Sequence, residues 1–166
     1  MSAATDELIA RLADVERRLT EHAQGPISTA LTDPDPEGSE RWEAGQVWAH
    51  VAEFPGYWLA EIDKILDTHA TDAAERAPFG RTKSDPGRIA AIERDRRTDP
   101  GALLARVREA LSAATDRIRG LPEEAWSIEG VHPLRGPMPL SAIVERFVVA
   151  HLEEHADQLD LLAQRG

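Results

Sequence analysis

The sequence predicts an all-α protein, a four-helix bundle whose single domain spans residues 1–166. Four long segments carry apolar residues every three or four positions, which is the repeat of a helix with one buried face. Alternation of apolar and polar residues, the pattern of a half-buried strand, never extends beyond a few positions. A chain of 166 residues, 42% of them hydrophobic, is long enough to close one core.

The first helix is predicted from Asp6 to Glu21, with Thr5 as its N-terminal cap. Its apolar stripe consists of Leu8, Leu12, Val15 and Leu19. Residues 25–38 contain three prolines and are predicted to form a loop. The length of this loop suggests that the chain crosses the bundle here instead of turning in a tight hairpin.

The second helix is predicted from Arg41 to Thr68, with Pro55 inside it. Proline lacks the amide hydrogen of an ordinary helix residue, so we expect a kink or a break near Pro55. The helical pattern lapses over residues 70–85, and a short helix is predicted after Pro86.

The third long helix is predicted to begin at Asp99-Pro100, a cap residue followed by a proline that fits the first turn, and to end at Gly120. Residues 121–126 are expected to add one turn. Residues 130–139 contain two glycines and three prolines, and we expect them to form an irregular loop.

The composition excludes several classes of function. The net charge of -11 repels phosphate backbones and anionic lipid heads, so we expect no nucleic acid and no membrane as a partner. The N-terminus (Met1–Glu7) lacks the features of a signal peptide, which predicts a cytoplasmic protein. Because the chain has no cysteine, catalysis by a protein thiolate and cysteine-type zinc sites are excluded.

The fourth helix is predicted from Leu140 to Gln164, and it carries His151 and His155 on its apolar face. A spacing of four leaves the two imidazoles about 40° apart around the axis and one turn apart along it, so both can reach one ion. The alternative is a pair of core histidines without a metal, although burying two unpartnered imidazoles would cost several kcal/mol.

His50 on the second helix favours the metal interpretation, because a bundle can bring the second and fourth helices side by side. Three neutral nitrogen ligands would leave coordination positions open, as in catalytic metal sites. The other histidines fit such a site less well. His22 and His69 lie at predicted helix C-termini, and His132, in the predicted loop, is expected at the surface.

Residues 151–155 also match H-x-x-E-H, the motif of inverzincin proteases. Those proteases are much larger chains with a third acidic ligand far downstream, whereas here the chain ends shortly after His155. Glu154 also lies about 60° away from the direction of the histidines. We therefore do not expect a protease.

Three segments, in order, resemble one known family. Residues 42–53 (Trp-Glu-Ala-Gly-Gln-Val-Trp-Ala-His-Val-Ala-Glu) resemble the second-helix signature of the DinB-like superfamily, in which a tryptophan precedes an apolar-Ala-His-apolar core. Residues 151–159 are similar to its last-helix pattern H-x3-H-x2-Q-L, and residues 121–126 resemble a stretch that often follows its third helix. The resemblance covers nearly the whole chain.

This resemblance implies an up-down-down-up four-helix bundle and a metal site formed by His50, His151 and His155. The ion in such proteins is often nickel or zinc. Characterised relatives include transferases and isomerases that use mycothiol, bacillithiol or glutathione. Some mycothiol relatives carry Glu at the first of the two last-helix positions, and this chain departs from them with His151.

Three functions remain as alternatives. The first is a metal-dependent S-transferase or isomerase that presents the thiolate of a low-molecular-weight thiol to a small-molecule substrate. Gln158, Tyr57 and Glu61 are candidate contacts at such a site, and Arg81 or Arg88 is a candidate for binding a carboxylate of the thiol.

The second alternative is a metal-dependent hydrolase with Glu53 or Glu154 as the general acid or base. The third is a non-enzymatic metal-binding stress or interaction module. Such a protein could form a homodimer through a helix face that exposes tryptophans. The four tryptophans are nevertheless expected mainly in the core: Trp42, Trp48, Trp58 and Trp126.

Overall fold

The computed structural model describes residues 3–36 and 38–165. Met1 and Ser2 of the N-terminal segment considered above, Glu37 of the predicted loop and the last residue of the predicted domain lie outside that part. The elements in chain order are α1 (Ala3–Gln24), α2 (Ala44–Thr71), α3 (Pro86–Asp95), α4 (Pro100–Gly120), a 3-10 turn (Glu123–Ser127), β1 (Glu129–His132), β2 (Gly136–Pro139), α5 (Leu140–Ile143), a π-helical turn (Val144–Val149) and α6 (Ala150–Arg165).

The long helices form the predicted four-helix bundle, in which α1 and α2 each pack against both α4 and α6. Ion pairs indicate the helix directions. Arg11 and Arg18 of α1 pair with Glu153 and Asp157 of α6 in the same order, so these two helices run parallel. The loop that follows α1 therefore starts at the end of the bundle where α6 also ends.

Helices α2 and α4 also run parallel. Glu43, which precedes α2, pairs with Arg96, which precedes α4. Further along both helices, Asp63 pairs with Arg117. Parallel outer helices and parallel middle helices are the arrangement of an up-down-down-up bundle, which the family resemblance implies.

The apolar stripes of the four helices meet in one continuous core. Trp48 and Trp58 are buried in it, as expected, while Trp42 and Trp126 are partly buried against its edge. No helix among the described residues is long and apolar enough to cross a membrane.

One expectation for the first helix needs correction: Thr5 does not cap α1, because the helix already begins at Ala3 and Thr5 is buried within it. Of the kink or break expected near Pro55, the break does not occur, because α2 stays helical through that residue, and the kink stays a prediction. Asp99, by contrast, caps α4 as predicted, since its carboxylate accepts the backbone N–H of Ala102.

The expectation of an irregular loop over residues 130–139 is wrong, because strands β1 and β2 form an antiparallel hairpin there. The strands are short and rich in glycine and proline, so no alternating pattern marks them. Their partner lies far away in sequence: Val131 exchanges backbone hydrogen bonds with Ala77 and Phe79. A Cβ on Gly130 would lie 2.7 Å from Phe79, so this close packing requires glycine.

The fourth predicted helix is interrupted by the π-helical turn between α5 and α6. A π turn takes up more residues than an α turn and so shifts the buried face of the helix. The shift buries both Val148 and Val149 before Leu152. It lies immediately before α6, the helix that carries His151 and His155.

Candidate metal centre

The structure brings together the three histidines that the sequence singles out. The Nε2 atom of His151 lies 3.1 Å from Nε2 of His50 and 3.1 Å from Nε2 of His155. One nitrogen from each ring lies within 4.8 Å of the others, an arrangement able to hold a metal ion. One histidine comes from the first half of α2 and two come from α6, which packs beside it.

Two aromatic rings hold the imidazoles in place. Phe54, one turn after His50 on α2, meets the ring of His151 edge-on, with ring centroids 4.4 Å apart. Trp42 lies parallel to the ring of His155 at 6.1 Å and edge-on to His50 at 5.4 Å. Trp42 precedes α2, so helical periodicity gave no reason to place it at this site.

The three histidines differ in exposure. His50 and His155 are 3% and 5% exposed. The side chain of His151, in contrast, is 31% exposed. His151 is therefore the member of the cluster that solvent reaches.

The three imidazoles are held in their neutral form. Burial lowers the pKa of His155 to about 4. Burial, together with the neighbouring histidines, lowers the pKa of His50 and of His151 well below the ordinary value. A neutral imidazole offers a nitrogen lone pair, which is what a metal ion requires.

Hydrogen bonding orients two of those lone pairs. Nδ1 of His155 lies 2.8 Å from Oε1 of Gln158 and donates a hydrogen bond to this amide oxygen, so Nε2 of His155 is unprotonated. Nδ1 of His50 is buried and has no hydrogen-bond partner among the described residues, and Oε1 of Glu53 is 3.3 Å away. A proton on that nitrogen faces the negative charge and leaves Nε2 of His50 unprotonated as well.

Hydrogen bonds between the imidazoles account for these nitrogen contacts less well than a shared metal ion does. His151 carries a single proton on its imidazole, so it can donate to at most one of its two neighbours. A nitrogen separation of 3.1 Å is short enough for one ion to bind both members of each pair at a metal–nitrogen distance of about 2.1 Å.

A buried ion pair lies next to His50. Arg81 binds Glu53, and its Nη2 donates a hydrogen bond to Oε2 of Glu53 at 2.7 Å. Both side chains are about nine-tenths buried. Arg81 also lies 3.9 Å above the ring of Tyr57. Burial raises the pKa of Glu53 above its usual value, although the hydrogen bond from Arg81 opposes this shift.

The other predicted contacts are placed less centrally. Glu61 accepts the backbone N–H of Gly80 and pairs with Lys64, away from the cluster. The exposed Glu154 lies 4.0 Å from Nδ1 of His151, the nitrogen that does not face the other two histidines. The guanidinium of Arg88 lies 5.2 Å from the ring centre of Trp42, which in turn contacts two of the histidines.

The remaining histidines stay outside the cluster. His22 pairs with Asp160, and His69 lies in the last turn of α2. The expectation of a surface position for His132 is wrong: it is 5% exposed, because β1 packs it against Phe147 with ring centroids 5.3 Å apart. A cavity of about 810 Å³ is lined in part by His69. His69 follows His50 by 19 residues on α2, so the two histidines are about 28 Å apart along the helix and this cavity is distant from the cluster.

Solved structures of low sequence identity share this fold. The YfiT protein of Bacillus subtilis, described as "a probable metal-dependent hydrolase with an unusual four-helix bundle topology", matches with a TM-score of 0.71 and 20% identity, over 99% of this chain and 89% of that chain. An uncharacterised protein of Clostridium difficile 630 matches with a TM-score of 0.63 and 9% identity, over 99% and 98%.

A mutant of the mycothiol-dependent maleylpyruvate isomerase matches with a TM-score of 0.64 and 16% identity, over 96% of this chain and 63% of the isomerase chain. No curated protein sequence matches. The family model of the DinB superfamily matches residues 3–159, nearly the whole chain. The protein therefore belongs to the DinB superfamily.

Proposed function

We propose that this protein is a metal-dependent enzyme that activates a low-molecular-weight thiol, with His50, His151 and His155 as the ligands of one divalent ion. The observation that carries this proposal is the convergence of three Nε2 atoms in a cluster whose His151 side chain is 31% exposed. The description of YfiT as metal-dependent supports the same class of site.

The ligands explain why such a site would be reactive. Three neutral imidazoles add no negative charge, so the full charge of the ion remains available, and both zinc and nickel accept such ligands. When bound, a divalent ion supplies a Lewis acid that lowers the pKa of a coordinated thiol. Gln158 and Glu53 hold the imidazoles in the protonation state that binds the ion.

In the proposed reaction the thiol sulfur forms a bond to an electrophilic carbon, and the bond from that carbon to its leaving group breaks. The leaving group departs with the electron pair, and the proton of the thiol passes to solvent. In an isomerisation the thiol adds reversibly and is released unchanged. Mycothiol is the first thiol to test, because one structural neighbour is mycothiol-dependent.

The second candidate is a hydrolase, which the description of YfiT favours. Attack by water generally needs a positioned base. Of the two candidates for that role, Glu53 is held by Arg81 and Glu154 lies on the far side of the His151 ring. These positions favour the thiol reaction. The exposed side of His151 argues against a closed, purely structural metal site.

The test uses protein reconstituted with zinc or nickel, a model electrophile such as 1-chloro-2,4-dinitrobenzene, and mycothiol, bacillithiol or glutathione. We expect a metal-dependent conjugation rate with at least one thiol. His151→Ala should abolish that rate, and His69→Ala should keep it. If no thiol reacts and panels of esters and amides are cleaved instead, the hydrolase is correct. If neither reaction occurs with fully loaded protein, the enzyme proposal is wrong.

A further inference from the structure

Arg88 of α3 lies at the edge of the histidine cluster with its side chain half-buried. The central carbon of its guanidinium lies 5.2 Å from the ring centre of Trp42, the same ring that lies parallel to His155.

Arg88 differs from the other half-buried arginines in its partners. Each of the others binds at least one carboxylate: Arg11, Arg18, Arg81 and Arg96. Within residues 3–36 and 38–165, the guanidinium of Arg88 has one hydrogen bond, from Nη1 to the backbone oxygen of Lys83 at 3.0 Å. The carboxylate of Asp85 accepts the backbone N–H of Arg88 and leaves the guanidinium unpaired.

An arginine carries five N–H donors in a planar fork that matches a carboxylate, so most of the binding capacity of Arg88 is unused. The neighbouring positive charges are already compensated, because Arg81 binds Glu53 and Lys83 binds Asp35. Arg88 therefore carries a partly desolvated positive charge that no carboxylate of residues 3–36 and 38–165 binds directly, although Glu53, Glu40 and Asp35 act on it at longer range.

We propose that Arg88 binds a carboxylate of the substrate or of the thiol, while the reacting group lies at the ion held by the three histidines. This inference rests on the proposed function, and it specifies that the substrate or the thiol carries a carboxylate. Trp42 lies near both binding groups, 5.2 Å from the guanidinium carbon of Arg88 and 6.1 Å from the ring centre of His155, and would contact a ligand that spans them.

The test measures binding to zinc-loaded protein by calorimetry. One arm compares mercaptocarboxylates of two to four carbons with the matching mercaptoamides, and a second compares the corresponding acids and amides without sulfur. In the wild type, we expect the acid of the best chain length to bind at least about tenfold tighter than its amide. A preference confined to the first arm identifies a carboxylate of the thiol, and a preference in the second arm identifies one of the substrate.

Arg88→Gln should reduce the ratio of acid to amide affinity to about one and leave the zinc content unchanged, whereas the exposed Arg97→Gln should keep the wild-type ratio. A wild-type ratio that persists in Arg88→Gln overturns the inference, as does equal binding of acid and amide to the wild type. If the wild type holds neither zinc nor nickel, the proposed function fails, and the second arm is repeated on metal-free protein. An Arg88-dependent preference there retains the carboxylate site, and its absence overturns it.

Discussion

The Nε2 atoms of His50 and His151 lie 3.1 Å apart, although 101 residues separate them in the chain. The pair exists only when α2 and α6 are docked, and an ion between them would link the two helices directly. Metal binding and folding should therefore be coupled, because an ion that binds only the folded state stabilises it.

Substitution of His50 or His155 by alanine should remove the metal. We expect about one ion per chain in the wild type and a loss of most of it in either variant, because two remaining imidazoles hold an ion weakly. Zinc at a hundred times its dissociation constant should stabilise the wild type by about 2.7 kcal/mol and the variants by far less. Elemental analysis and thermal unfolding with added zinc measure the two effects.

His69→Ala is the matched control, since His69 lies on the same helix as His50 but outside the cluster. It should keep both the metal and the stabilisation. Equal metal content in the wild type and in all three variants would overturn the ligand assignment.

Replacing Gln158 should weaken metal binding without removing a ligand. Its amide oxygen accepts the hydrogen bond from Nδ1–H of His155, so Gln158→Leu frees that ring to change tautomer or to rotate. We expect a loss of about 10- to 100-fold in zinc affinity. Gln158→Glu should largely restore the affinity because a carboxylate also accepts this hydrogen bond, and the exposed Gln164→Leu should have no effect. Competition with a chelator of known affinity tests this, and unchanged binding in Gln158→Leu would exclude the role.

Two glycines of α2 should respond in opposite directions to alanine. A Cβ on Gly45 would lie 2.0 Å from the backbone oxygen of Arg96, so Gly45→Ala must push α2 away from the end of α3. We expect a destabilisation of about 1–3 kcal/mol. At Gly56 no atom lies within 4 Å of the new Cβ, and alanine should stabilise the helix by about 0.5–1 kcal/mol. Urea unfolding of both variants distinguishes them, and a neutral Gly45→Ala would contradict the close helix contact.

The carboxylate of Asp95 should make stability depend on pH. Hydrogen bonds from Arg94, and then from Arg106 of α4, lower the pKa of Asp95 to about 2. Because the folded pKa is below the unfolded one, the contribution is present above pH ~4 and declines as the pH falls towards 2. Both arginines are well exposed, so Asp95→Asn should cost only about 1–2 kcal/mol at pH 7.

The difference between Asp95→Asn and the wild type should shrink as urea unfolding is moved from pH 7 to pH 3. Asp116→Asn, an exposed position on α4, serves as the control and should remain close to the wild type throughout. A difference that stays constant across this range would show that Asp95 acts by some means other than its charge.

Much of the fold could be predicted because it depends on local signals. Apolar repeats mark the four long helices, and the Asp99-Pro100 start of α4 is visible as a short motif. The hairpin of β1 and β2 could not be predicted in this way, since it is held by backbone hydrogen bonds from Val131 to residues more than 50 positions away. The position of the π-helical turn could not be predicted either, because it depends on how α5 and α6 pack against the rest of the bundle.

For the candidate site, the sequence alone identifies the residues that could bind a metal: two histidines one helical turn apart, a third on another helix, and no cysteine to compete with them. The packing of the helices brings the three Nε2 atoms together and leaves the side chain of His151 partly exposed. It also pairs Arg81 with Glu53, while no carboxylate of the described residues binds Arg88. The physical reason is that periodicity describes one helix at a time, whereas distances, burial and charge compensation depend on how separate helices pack.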